Sequence, residues 1–171
     1  TTKALKMHGG VKKDDLKDEN VQAIEDGCKN LERHIKNIAK FGVPVTVGIN
    51  EYYTDTKDEH QAIIDCCKNL GVACKISSHW SDGGKGAADL ASHVAELADS
   101  NSASFKTLYN DDMPLWEKTD HIAKNIYGAS GIIADKKVRN KIKKLEEDGY
   151  GNYPICMAKT QYSFSTDPLL M

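Results

Sequence analysis

The sequence contains no apolar run approaching the ~18 residues that a membrane-spanning helix needs. The longest, residues 43–50, ends after a strand's length. No C-x-x-C spacing occurs, and the 5 cysteines are odd in number. Neither a zinc framework nor a disulfide framework is indicated, and the thiols read as ordinary small side chains. Charge of one sign is also missing: 23 Lys plus Arg stand against 25 Asp plus Glu, for a net charge of −2. That gives no basic footprint, so nucleic acid is not an expected partner. Only 4 prolines and 13 glycines are present, which excludes collagen-like and Pro/Gly-rich disordered chains. No phosphate loop of the form G-x-x-x-x-G-K-S/T occurs anywhere in the 171 residues, and no His set has ligand spacing, so no metal site is assigned. Residues 1–7 carry no apolar h-region, and a cytoplasmic location is expected. The chain begins without Met and stops soon after a proline, which reads as a piece cut from a longer chain.

What is there is an alternation of helical and strand patterns. Val21, Ile24, Cys28, Leu31, Ile35 and Ile38 recur at helical steps and predict a helix over residues 18–40. Glu32 and Lys36 add an i,i+4 pair, and Gly42 suits the left-handed end position. Residues 43–49 are nearly all apolar or β-branched and predict a strand of a parallel sheet covered on both faces. Thr56 with Glu59 forms a capping-box pattern for a second helix, running to about Leu70 and ended by Gly71. Residues 72–77 predict a second strand and residues 87–97 a third helix. The fold class is therefore α/β: a partial parallel sheet with flanking helices. The polar stretch at 99–104 is the best boundary. It divides an α/β segment, 1–103, from a small α+β segment, 104–171, with helices at 116–127 and 135–148 and a last strand at 154–158.

Ligands of open parallel sheets bind beyond the carboxyl ends of strands. After the first strand comes Asn50-Glu51-Tyr52-Tyr53-Thr54-Asp55-Thr56. Asn50 and Asp55 offer an amide and a carboxylate for a heterocycle's edge, and Tyr52 and Tyr53 offer flat faces. After the second strand comes Trp80, followed by Gly83-Gly84-Lys85-Gly86 ahead of a helix N-terminus that favours anions. Both loops rise from one edge, so Trp80 and a tyrosine can clamp a planar ring. His34, His60, His93 and His121 read as helix-face residues. His8 and Lys159 have no role that composition can assign.

Several segments carry a resemblance. Residues 4–10 (Ala-Leu-Lys-Met-His-Gly-Gly), 41–45 (Phe-Gly-Val-Pro-Val), the 50–56 loop, Trp80 with 83–86, 126–129 and the long 149–161 block ending Cys156-Met157-Ala158-Lys159-Thr160-Gln161 together resemble formate–tetrahydrofolate ligase, also called formyltetrahydrofolate synthetase. The resemblance runs from end to end and implies a fragment of that longer enzyme, with the phosphate loop in the part not covered. Family chemistry joins formate to tetrahydrofolate: ATP, with its magnesium, phosphorylates formate to formyl phosphate, and the formyl group passes to N10. The resemblance implies ring binding by Tyr52 and Trp80, with Asn50, Tyr53, Asp55, Gly83, Gly84, Lys85 and Gly86 around the pocket and no catalytic residue in this piece. It further implies a Rossmann-like, P-loop-NTPase-type sheet and a truncated second domain. ATP and tetrahydrofolate are the implied substrates, the remainder of the chain the implied partner, and a homotetramer the implied assembly. The fragment alone is expected to be inactive. Family members usually have Phe where Tyr52 stands, so its hydroxyl needs a partner or water. The other reading is a non-catalytic α/β binding module derived from the same family.

Overall fold

The structure, a computed structural model, describes residues 1–167. The chain forms two compact units, one spanning Thr1–Phe105 and the other beginning at Lys106.

In the first unit the order is α1 (Thr2–His8), α2 (Val21–Ala39), β1 (Thr46–Asn50), α3 (Lys57–Asn69), β2 (Ala73–Ser77), the single turn α4 (His79–Asp82), and α5 (Ala88–Asp99). Strands β1 and β2 pair in parallel, from Thr46↔Ala73 to Asn50↔Ser77. The intervening α3 makes a parallel pairing possible, since parallel neighbours need a crossover. Its start has the predicted capping box: the Thr56 hydroxyl accepts from Glu59 N–H while the Glu59 carboxylate accepts from Thr56 N–H.

The core gathers Leu5, Ile24, Cys28, Ile49, Ile63 and Cys67 from α1, α2, β1 and α3. Each fully buried aliphatic side chain contributes ~1.5–3 kcal/mol. Helix α1 crosses α2 backbone against backbone. A Cβ at Gly27 would lie 2.0 Å from the Leu5 carbonyl oxygen, and one at Gly9 2.0 Å from that of Ala23. Only glycine permits that approach.

Two sequence expectations need correction. The segment 2–8 is a helix, capped by the Thr1 hydroxyl accepting from Ala4 N–H, and the sequence reading did not assign it. Ile38, the last member of the helical apolar series, is 45% exposed. The sheet is not fully covered. Ile49 packs into the core, while on β2 Ile76 stays 39% exposed and Leu90 of α5 reaches over Gly48.

The second unit contains α6 (Leu115–Asn125) and α7 (Lys136–Leu145). Leu115, Ile122 and Ala123 are its buried apolar residues. Aromatic pairs (Tyr127–Phe164 and Tyr150–Tyr153, edge to face) and polar ties add to them. Lys118, with no exposed surface, donates to the carbonyls of Asp111 (2.6 Å), Gly151 (2.8 Å) and Tyr153 (3.1 Å). Glu146 caps α6 from 31 residues away, accepting from Leu115 N–H at 2.6 Å. The expected strand at 154–158 is not formed. Among the described residues this unit has no strand to pair with it, and the Ile155 amide donates instead to the Tyr109 hydroxyl at 2.9 Å. No helix among the described residues is long and apolar enough to cross a membrane.

Candidate functional site

The first loop leaves β1 at Asn50 and closes into a tight turn before α3. Two bonds close it: Asp55 N–H donates to the Tyr52 carbonyl at 2.9 Å, and Tyr52 N–H donates to Asp55 Oδ2 at 2.9 Å. The Asp55 side chain has no exposure. Its Oδ1 accepts from the Thr2 hydroxyl of α1, and its Oδ2 lies 3.3 Å from His60 Nε2 on α3. A buried carboxylate is tolerable only with such partners. The turn puts rings outside: Tyr52 is 37% exposed and Tyr53 81%. Lys3 Nζ stands 4.9 Å from the Tyr52 ring centroid, a cation–π contact.

The second loop leaves β2 at Ser77. The two loops are joined where they start, because Glu51 N–H donates to the Ser77 carbonyl at 3.0 Å. Ser77 Oγ is 2.9 Å from His79 Nδ1 at the start of α4. Trp80, in the middle of α4, is 72% exposed. The stretch expected to be plain loop is thus a helical turn followed by a 3-10 turn, Gly83–Ala87. Gly86 is fixed by packing: a Cβ there would meet Ser78 at 2.6 Å, and the Gly86 carbonyl accepts from Ser78 N–H at 3.1 Å. An open cavity of about 550 Å³ lies here, lined by Ile76, Ser78, Asp82, Lys85, Gly86 and Asp89.

The predicted residues therefore divide. Tyr52, Tyr53 and Trp80 project their rings outward near one strand edge. Lys85 and Gly86 line the cavity; Asn50 at the end of β1 and Gly83 and Gly84 in the 3-10 turn are exposed. Asp55 differs from the expectation: its oxygens face Thr2, Tyr52 and His60, so they are committed inward and not to a heterocycle's edge. His60, expected on a helix face, is 5% exposed, with Nδ1 3.8 Å from Glu51 Oε1. Sequence reasoning missed Thr2 and Lys3 because it left α1 unassigned. The Thr1 cap with the following polar–apolar pattern was the available signal. Lys159 is exposed, its Nζ donating to the Thr160 carbonyl at 3.2 Å.

Four of the thiols, Cys28, Cys66, Cys67 and Cys74, lie away from this edge, with Cys74 near the start of β2 and Cys66 and Cys67 in the last turn of α3. Burial pushes the Cys28 and Cys66 thiols up from their ordinary value, while a hydrogen bond from Cys67 pulls Cys74 down. Cys67 has no exposure. Among the described residues no group of three or more His, Cys, Asp or Glu is arranged to hold a metal ion.

Comparison with known proteins decides the lineage. A family model described as formate–tetrahydrofolate ligase matches residues 1–171. The chain belongs to the formate–tetrahydrofolate ligase family. Among similar proteins, a formate–tetrahydrofolate ligase of Granulibacter bethesdensis is 58% identical over 98% of this chain and 29% of its own length. That of Pelagibacter ubique is 54% identical over 99% of this chain and 30% of its own length. That of Sinorhizobium medicae is 55% identical, again over 99% and 30%. The chain thus spans about 30% of the length of the curated relatives it matches.

Proposed function

We propose that this chain is the ring-binding segment of an ATP-dependent ligase that joins formate to tetrahydrofolate. In that reaction ATP phosphorylates formate to formyl phosphate, releasing ADP. N10 of tetrahydrofolate then attacks the formyl carbon, and inorganic phosphate leaves with 10-formyltetrahydrofolate as the product. The chain contributes no catalytic group in this reading. Tyr52 and Trp80 hold a planar ring, folate or adenine, between them. Asn50, Tyr53, Lys85 and the Gly83-Gly84-Gly86 turn line its approach. The remainder of the enzyme supplies the phosphate loop, since none occurs in this sequence.

The observation that carries the reading is the tie between the two aromatic loops. They leave adjacent parallel strands at one edge, with Glu51 N–H bonded to the Ser77 carbonyl. Ligands of parallel sheets collect at that edge, and Trp80 and Tyr53 expose most of their surface there. Each stacked ring contributes on the order of 0.5–1.5 kcal/mol beyond area burial. In the same reading the two-stranded sheet is part of a larger nucleotide-binding sheet, which covers the exposed face at Ile76. Residues 1–103 form its aromatic-bearing segment, and residues from 104 on are part of a larger domain. The assembled enzyme is cytoplasmic and homotetrameric.

Fluorescence tests the reading. In a Trp116→Phe background Trp80 is the sole indole. Titration of the chain with tetrahydrofolate and, separately, ATP is expected to give a saturable change with at least one of them, lost in Tyr52→Ala. No change with either ligand contradicts the reading.

A further inference from the structure

We infer that Thr2, Asp55 and His60 are positioning residues that lock the Tyr52 turn into its ring-binding shape, so that ligand affinity depends on side chains that never touch the ligand. The inference rests on the ring-binding reading of Tyr52 and Trp80, and names what holds that site in place.

The argument starts from donors and acceptors. An ionised Asp offers only acceptors. Its three neighbours are all donors: the Thr2 hydroxyl at Oδ1, and Tyr52 N–H and His60 Nε2–H at Oδ2. They come from three elements, α1, the turn itself and α3. A carboxylate with no exposure and three donors is fixed in space, and charge-assisted hydrogen bonds of this kind are the stronger class. Because one of the three is the Tyr52 amide, fixing Asp55 fixes the backbone that aims the Tyr52 ring. His60 Nδ1 lies 3.8 Å from Glu51 Oε1, beyond hydrogen-bond reach, so the other end of the turn is tied through the backbone. Glu51 in turn carries the amide bonded to β2 at Ser77. The network therefore runs from α1 through the Tyr52 turn to the strand that bears the Trp80 loop.

Preorganisation of this kind lowers the ordering cost of binding. The same chemistry makes Asp55→Ala disruptive, because it removes both acceptor oxygens and leaves the Tyr52 N–H and His60 without their partner, whereas in Asp55→Asn the amide nitrogen can donate to the Thr2 hydroxyl. By contrast Thr2→Ser keeps the hydroxyl and His60→Gln keeps an N–H at the ring's place.

Two measurements test it. In the chain itself, amide exchange is followed by NMR for unaltered protein, Thr2→Val, Thr2→Ser and Asp55→Ala. Thr2→Val and Asp55→Ala are expected to lose protection at the Tyr52 and Asp55 amides while those of β1 and α2 keep theirs, and Thr2→Ser is expected to restore it. Unchanged protection at Tyr52 overturns the inference whatever ligand the site takes, and general loss through α2 overturns it in favour of a merely structural role. In the full-length ligase carrying this segment, Thr2→Val is expected to raise KM for the ring ligand about tenfold with kcat nearly unchanged, with Thr2→Ser and His60→Gln close to unaltered protein. Equal KM in Thr2→Val, with Trp80 fluorescence still responding to ligand, overturns the functional half. Loss of the Trp80 response in unaltered protein would instead defeat the ring-binding reading, and the exchange measurement would still decide whether the turn is locked.

Discussion

Each unit buries one lysine completely, and the two solve the problem differently. Lys6 of α1 meets a carboxylate: its Nζ lies 2.8 Å from Glu59 Oε1, both side chains at 0% exposure, and it also donates to the Asp18 carbonyl at 2.9 Å. Lys118 of α6 meets three backbone carbonyls, with its Nζ 5.8 Å from the Tyr109 ring centroid. In the first unit the ion pair is an addition to an apolar core of six residues; in the second the cation stands beside only three buried apolar residues among the described residues, Leu115, Ile122 and Ala123. The difference shows what each buried cation does. Lys6 neutralises a charge that also caps α3 and accepts from Asn20 N–H. Lys118 gathers irregular segments around one helix.

That contrast can be broken, and the largest effect is expected at Lys6. Lys6→Met leaves Glu59 buried without a counter-charge and should cost ~3–5 kcal/mol, read as a lower urea midpoint. The double change Lys6→Met with Glu59→Leu should recover much of it, although the α3 cap stays lost; a double mutant no better than the single would show that pairing is not what Lys6 supplies. Next comes Gly27→Ala, whose Cβ falls 2.0 Å from a carbonyl. It must part α1 from α2, an overpacking cost of ~1–3 kcal/mol with loss of helical amide protection in α1.

The second unit should respond less. Lys118→Met orphans no charge, only carbonyls, and is expected to cost ~1–3 kcal/mol, with exchange rising at residues 111 and 151–153. A cost at Lys118 larger than at Lys6 would reverse the comparison. Glu146→Ala removes a remote cap and should cost ~0.5–2 kcal/mol. The smallest test is chemical. Cys156 is exposed, whereas Cys28 and Cys67 are buried, so under native conditions a maleimide should label Cys156 first, leaving the other two unreacted until urea unfolds the first unit. Early labelling of Cys67 would mean that its core opens readily.

The same two units divide what was legible in the sequence. Helices α2 and α3 and both strands could be read because period and capping are local: the Thr56–Glu59 box is visible four residues wide. The pairing of Glu59 with Lys6 was not, because its partner lies 53 residues earlier in a helix whose seven residues carry little periodicity. Asp55 was recognised as special, but its partners were not legible. A carboxylate in a loop reads as open to ligand until the folded chain brings Thr2 and His60 against it. The missed outcome at 154–158 is of another kind. Local composition favours a strand, but a strand needs a neighbour, and among the described residues of that unit none is supplied. The aromatic loops were legible as a pair because a parallel sheet sends successive βα loops to one edge, and β1 and β2 are indeed parallel neighbours.

The account turns on Tyr52 and Trp80 receiving one flat ring between them. The most direct measurement is intermolecular NOE spectroscopy on the protein with tetrahydrofolate and with ATP. It should give cross-peaks from the same pterin or adenine protons to both the Tyr52 and the Trp80 side chains. Cross-peaks from a bound ligand to only one of the two, or to neither, would contradict it.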